Sequence, residues 1–166
     1  MNAEAYETRV AGEEAMVALG QALSPWLKKF RLVTFSGDLG AGKTTLVRGV
    51  LRGRNFSGPV KSPTFTLVEP YALDDQPIYH FDLYRLNDPE ELEFVGTREY
   101  LSGDGLCLVE WPENGAGFLP EPDVNVTINK VNSGRLVTFE LLSDRAKALA
   151  DELKDCLKLK QEVRSQ

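Results

Sequence analysis

The stretch Gly37-Asp38-Leu39-Gly40-Ala41-Gly42-Lys43-Thr44-Thr45 carries the strongest chemical signal in the chain. It fits G-x-x-x-x-G-K-[ST], whose glycines let successive backbone N–H groups turn toward a polyphosphate at a helix N-terminus, where the dipole also favours negative charge. Lys43 then reaches the β/γ-phosphates, and the Thr44 hydroxyl ligates Mg2+. A Gly-rich turn with an incidental lysine is the competing reading. The surroundings favour the phosphate loop, because the apolar run Leu32-Val33-Thr34-Phe35 precedes it and the helix-like Leu46-Val47-Arg48-Gly49-Val50-Leu51 follows.

Cleaving a bound nucleotide takes a further carboxylate beside the metal and a group that orients water. Ile78-Tyr79-His80-Phe81 delivers Asp82, and Leu106-Cys107-Leu108-Val109 delivers Glu110. Each acid ends an apolar strand, where open α/β sheets place their ligand crevice. The wholly apolar run before Glu110 favours it as the metal-side acid and leaves Asp82 to orient water. Which of the two ligates directly stays open, and for each the plain alternative is a carboxylate that merely ends a strand. Ser62-Pro63-Thr64 lies where a mobile switch would follow the phosphate-binding helix. The Thr64 hydroxyl reads equally as a γ-phosphate sensor and as a strand start set by Pro63.

Other candidates are weaker. His80, the sole histidine, alternates with Tyr79 and Phe81 and reads as a packed or hydrogen-bonded sheet residue. Trp111 either closes over the nucleotide, anchors a partner or buries against Pro112. Arg48, Arg52, Arg54, Arg85 and Arg98 are not ranked by the sequence as phosphate contacts. Asn129-Lys130-Val131-Asn132 falls short of the guanine-recognition pattern N-K-x-D. An amide at position 132 offers one acceptor where a carboxylate is needed for two guanine donors, so adenine is favoured.

The elements that must position these groups follow from periodicity. Met16, Leu19, Leu23 and Leu27 mark an amphipathic helix over Glu13–Leu27, and the phosphate-binding helix ends near Gly53. Strands are expected over Thr64–Tyr71, Ile78–Leu83 and Leu106–Val109, and a hairpin over Val124–Val131 and Leu136–Leu142 around Asn132-Ser133-Gly134. Asp88-Pro89-Glu90-Glu91 predicts a helix with Asp88 as N-cap reaching Phe94, followed by a helical turn over Thr97–Leu101. A last helix spans Asp144–Leu159, with a frayed tail at 160–166. Alternating helices and strands give the class: α/β, a P-loop NTPase-like three-layer fold whose sheet is mixed and mainly parallel with antiparallel additions.

Bulk properties set limits. With 166 residues and 42% hydrophobic content the chain suits one ordinary globular domain over 1–166. It has no apolar run long enough for a membrane and no leader-like N-terminus, so a cytoplasmic protein is expected. Cys107 and Cys156 read as reduced and inert. A net charge of -6 argues against gripping a nucleic acid unaided. The basic residues near the C-terminus are interleaved with acids and read as a solvated helix face.

Taken with Lys61-Ser62-Pro63-Thr64-Phe65-Thr66-Leu67-Val68-Glu69, His80-Phe81-Asp82-Leu83-Tyr84-Arg85-Leu86, Asp88-Pro89-Glu90-Glu91-Leu92 and Val109-Glu110-Trp111, the phosphate loop resembles the motif set of the bacterial TsaE (YjeE) family, small ATPases of tRNA threonylcarbamoyladenosine biosynthesis. The resemblance implies ATP and Mg2+ at Asp38, Leu39, Gly40, Ala41, Gly42, Lys43, Thr44 and Thr45. It implies Thr44 and Glu110 as metal ligands, Asp82 as needed for hydrolysis and Thr64 as the switch threonine. Glu13 and Arg135 match positions near the nucleotide's other end. It also implies TsaD and TsaB as partners that modify adenosine 37 of ANN-decoding tRNAs, with tRNA met only through them. It implies too an ATPase that is weak alone, stimulated in the complex, and resets it between turnovers. Two other readings compete: a small-molecule P-loop kinase, which would need an Arg-rich lid the sequence lacks, and a non-hydrolytic nucleotide-gated scaffold.

Overall fold

The computed structural model describes residues 4–165. Along the chain run β1 (Glu4–Val10), α1 (Glu13–Leu27), β2 (Leu32–Ser36), α2 (Lys43–Gly53), β3 (Val68–Tyr71), β4 (Ile78–Asp82), α3 (Glu91–Phe94), α4 (Thr97–Ser102), β5 (Leu106–Glu110), β6 (Val124–Val131), β7 (Gly134–Leu141), α5 (Asp144–Ala148) and α6 (Ala150–Ser165). The strands form one seven-stranded sheet in the order β1-β7-β6-β2-β5-β4-β3. β6, β2, β5 and β4 make a parallel centre, and β1, β7 and β3 flank it with antiparallel pairings.

Side-chain parity divides the sheet into two dry faces. Val33, Phe35, Ile78, Leu106 and Leu108 join the larger core with Leu19, Leu23, Leu46, Val50 and Leu153 from α1, α2 and α6. Leu32, Phe81, Cys107 and Val109 point the other way, into a smaller core with Leu92 of α3 and Tyr100 and Leu101 of α4. Because successive strand residues face opposite sides, Asp82 and Glu110 share the face of Ile78 and Leu106, and so lie toward α2. A slip of one residue in either strand would turn its acid away from that helix.

α1 and α2 meet through Gly20 and Gly49. A Cβ on Gly20 would sit 2.5 Å from the Leu46 carbonyl oxygen, and one on Gly49 would sit 2.3 Å from that of Val17. Only glycine permits so close a backbone approach. Ser24 uses the same proximity, its hydroxyl donating to the Val50 carbonyl at 2.9 Å.

Several elements differ from the sequence expectation. β1 was not expected; it is an edge strand in which only Thr8 and Val10 are buried, so its charged side chains hide the alternation. β3 begins at Val68, not Thr64, because Leu67 adopts φ 69° and its N–H closes a turn on the Pro63 carbonyl at 2.8 Å. Asp88 sits two residues before the Glu90 N-cap of α3, its Oδ1 accepting from the Glu90 N–H at 3.0 Å. The C-terminal helix is broken at Leu149, whose carbonyl accepts both from the Leu153 N–H at 3.3 Å and from the Trp26 indole at 3.1 Å. α6 continues past Lys160, and Gln166 lies outside the described residues. No helix among the described residues is long and apolar enough to cross a membrane.

Candidate nucleotide site

β2, β4 and β5 lie side by side and run in the same direction, so Ser36, Asp82 and Glu110 end at one edge of the sheet. The loop from Gly37 to Gly42 leaves β2 at that edge and enters α2. Gly37 has φ 147°, and a Cβ there would stand 2.5 Å from the Ile128 carbonyl oxygen; the residue's type is therefore set by β6 as much as by the loop. Lys43, Thr44, Thr45 and the loop residues Leu39 to Gly42 share a cavity of about 240 Å3 with Ser62, Thr64, Asp82, Tyr84, Glu110 and Trp111.

Thr44 and Glu110 are in direct contact. The Thr44 hydroxyl lies 3.0 Å from Oε1 and 2.9 Å from Oε2 of Glu110. Glu110 is buried, and its Oε2 is also 2.6 Å from His80 Nε2. Asp82, one strand over, accepts from the Ser62 hydroxyl, from Thr64 Oγ1 at 3.4 Å and, on Oδ1, from the Tyr84 N–H at 2.9 Å. Burial pushes the Asp82 carboxyl above its ordinary range, reinforced by Glu110 and opposed by the Tyr84 N–H, His80 and Thr64.

Lys43 folds back on its own loop. Its ammonium donates to the Gly37 carbonyl and to that of Asp38 at 3.2 Å, and stands 3.9 Å from the centre of the Trp111 ring. A cation over an indole face is attracted by the ring quadrupole. Burial pulls the Lys43 ammonium below its ordinary range against the opposing pull of Glu110, Glu113, Asp82 and Asp38. Trp111 itself has φ 59°, an uncommon conformation for a bulky side chain, and its ring lies 5.0 Å from that of Tyr84.

A second cavity of about 330 Å3 opens on the other side of the loop, lined by Gly12, Glu13, Met16, Gly40, Ala41, Gly42, Thr45 and Arg135. Arg135 Nε donates to the Ala41 carbonyl at 2.9 Å, and Glu13 pairs with Arg48. The residues singled out from the sequence thus collect around one loop, with Thr64, Asp82 and Glu110 on one side and Glu13 and Arg135 on the other. The other arginines considered from the sequence are engaged elsewhere: Arg52 with the Phe56 and Gly58 carbonyls, Arg54 with Asp75, Arg98 with Glu93 and Arg85 over the Phe65 ring at 4.5 Å. Three contacts escaped sequence reasoning: His80 with Glu110, Ser62 with Asp82 and Lys43 with Trp111. The period-2 placement of His80 and Asp82 on one strand was the available signal for the first.

Fold and loop together define a class, a mixed α/β protein whose phosphate-loop-type strand, loop and helix open at the carboxyl ends of the central strands. A family model described as "Threonylcarbamoyl adenosine biosynthesis protein TsaE" matches residues 10–137. The tRNA threonylcarbamoyladenosine biosynthesis protein TsaE of Haemophilus influenzae is 50% identical over 131 residues, covering 76% of this chain and 83% of that protein. The protein of the same name in Bacillus subtilis is 36% identical over 146 residues, covering 87% and 91%. The crystal structure of Bacillus subtilis YdiB superposes with a TM-score of 0.78 at 28% identity, covering 93% of this chain and 97% of that one. The chain belongs to the TsaE family.

Proposed function

We propose that the chain is a Mg2+-dependent ATPase of threonylcarbamoyladenosine biosynthesis, acting in the cytoplasm with TsaD and TsaB on adenosine 37 of ANN-decoding tRNAs. It meets tRNA through those partners, as its net charge of -6 favours. Hydrolysis is weak in the free protein, rises in the complex and resets the complex between turnovers.

The observation that carries this reading is the contact of the Thr44 hydroxyl with both Glu110 carboxylate oxygens, at 3.0 and 2.9 Å, beside Lys43 and Asp82. Hydroxyl and carboxylate oxygens are hard donors that suit Mg2+. Among the described residues no group of three or more His, Cys, Asp and Glu side chains is placed to hold a metal. Two protein oxygens fit an ion that takes its other ligands from phosphate and water. Thr44 and Glu110 would hold it, and when bound it would neutralise charge developing on the phosphates.

The chain's own groups supply the rest. The backbone of residues 38–45 cradles the phosphates, and Lys43 exchanges the Gly37 and Asp38 carbonyls for phosphate oxygens. Asp82 orients the attacking water. Ser62 and Thr64, whose hydroxyls reach Asp82 Oδ2, sense the γ-phosphate. Glu13 and Arg135 bound the nucleoside end. The test is a reconstituted tRNA modification assay with TsaD and TsaB under multiple-turnover conditions. ATP is expected to sustain repeated cycles and a non-hydrolysable analogue to stop after one; repeated cycles with the analogue would favour a gated scaffold. γ-Phosphate recovered on a small molecule rather than as free phosphate would favour a kinase.

A further inference from the structure

His80 is fully buried in the middle of β4. Its Nε2 lies 2.6 Å from Glu110 Oε2, whereas Nδ1 has no hydrogen-bond partner among the described residues. The two nitrogens together locate the ring proton. An ionised carboxylate only accepts, so Nε2 is the donor. A proton on Nδ1 would be a buried donor without an acceptor, which folded proteins tolerate less well than a bare lone pair. The geometry therefore places a proton on Nε2.

Packing does not explain a histidine here. Its neighbours two residues before on β4 and opposite on β5, Ile78 and Leu108, are wholly apolar and buried, and burying a polar ring with one nitrogen unpaired costs free energy that an aliphatic side chain avoids. What the ring adds is a hold on Glu110. That carboxylate hangs from a flexible side chain, and with Oε2 tied to His80 both oxygens face the Thr44 hydroxyl. His80 itself does not line the loop cavity, so it acts through Glu110.

We propose that His80 is the positioning residue for the metal-side acid: its Nε2–H fixes the Glu110 carboxylate against Thr44, so that both oxygen donors are set before ion and nucleotide arrive. The inference rests on the Mg2+ reading above; the hydrogen bond does not. A donor holding a metal-side ligand in place affects metal affinity by about ten- to a hundredfold.

The test compares wild type with His80→Gln, whose amide N–H falls near the Nε2 position, His80→Asn, whose amide falls near Nδ1 instead, and His80→Leu, which fills the space without a donor. ATP affinity is titrated with Mg2+ and with a chelator, and the ratio isolates the metal's contribution. His80→Gln is expected to keep the wild-type ratio, and His80→Asn and His80→Leu to lose about tenfold or more, with chelator affinities unchanged. A purely structural histidine predicts no such split; a wild-type ratio in His80→Leu, or equal losses in His80→Gln and His80→Leu, overturns the proposal. A second measurement needs no variant to fold. Nitrogen-15 resonances of the His80 ring in wild type are expected to show a protonated Nε2, and a bare Nε2 overturns the proposal. Metal-independent ATP binding in wild type would contradict the Mg2+ function, and the ring resonances would then decide the hydrogen bond alone.

Discussion

Thr44 and Glu110 are 66 positions apart in the chain, yet the hydroxyl of one lies within 3.0 Å of both carboxylate oxygens of the other. The contact exists because β5 is paired in parallel with β2 and ends where α2 begins. Glu110→Gln keeps an acceptor oxygen and the shape of the side chain but removes the charge. Hydrolysis is expected to fall by about a hundredfold or more, with a thermal unfolding midpoint within a few degrees of wild type. Steady-state phosphate release and a melting curve check both halves.

Asp82 carries a predicted trade of stability for activity. Its carboxyl is raised by burial, so the folded chain holds this proton more tightly than the unfolded chain. Between the ordinary and the raised pKa the folded state therefore binds more protons, and its contribution to stability falls as pH rises through that window. Ionising the buried group is a cost that asparagine lacks. Asp82→Asn is expected to melt at a higher temperature than wild type at neutral pH, with the gap closing at acidic pH, and to hydrolyse ATP about a hundredfold more slowly or worse. A neutral-pH midpoint at or below wild type would contradict this.

The α1–α2 crossing predicts a purely structural lesion. A methyl group on Gly49 would lie 2.3 Å from the Val17 carbonyl oxygen, and backbone cannot yield as a flexible side chain does. Gly49→Ala is expected to destabilise the protein by about 1–3 kcal/mol or more, measured by denaturant unfolding. Unchanged stability would show that the helices can separate without penalty.

Both thiols should be silent in the folded protein. Burial pushes Cys107 up to about 12 and Cys156, aided by Glu152 and Asp155, to about 11, and the thiolate is the reactive form. A thiol-specific chromogenic reagent at neutral pH is expected to label neither residue natively and both after unfolding. Fast native labelling would refute the burial.

What was legible in the sequence was local. The phosphate-loop pattern spans nine consecutive positions, Gly37 to Thr45, and α1 follows from a four-residue apolar rhythm whose members Met16, Leu19, Leu23 and Leu27 are all buried. Asp82 and Glu110 were readable as strand ends, and parity then places both toward α2. The rest depended on pairing between distant segments. Among the described residues β1 is paired only with β7 and shows the outer surface of an edge, so its residues carry little apolar pattern. The turn at Thr64–Leu67 needs a left-handed Leu67, which no propensity suggests. His80 looked like a sheet residue, which it is; its meeting with Glu110 is set by the register of β4 against β5.

The function proposed for this loop is Mg2+-dependent ATP hydrolysis felt by partner proteins. Its most direct test is phosphate release from ATP by wild type and Lys43→Ala, each alone and with TsaD, TsaB and tRNA. Slow, Mg2+-dependent release is expected from wild type alone, a rise of about tenfold or more with the partners (1.4 kcal/mol per decade of rate) and none above background from Lys43→Ala in either condition. Release by folded Lys43→Ala at the wild-type rate, or ATP left intact by wild type in the full mixture, would contradict it.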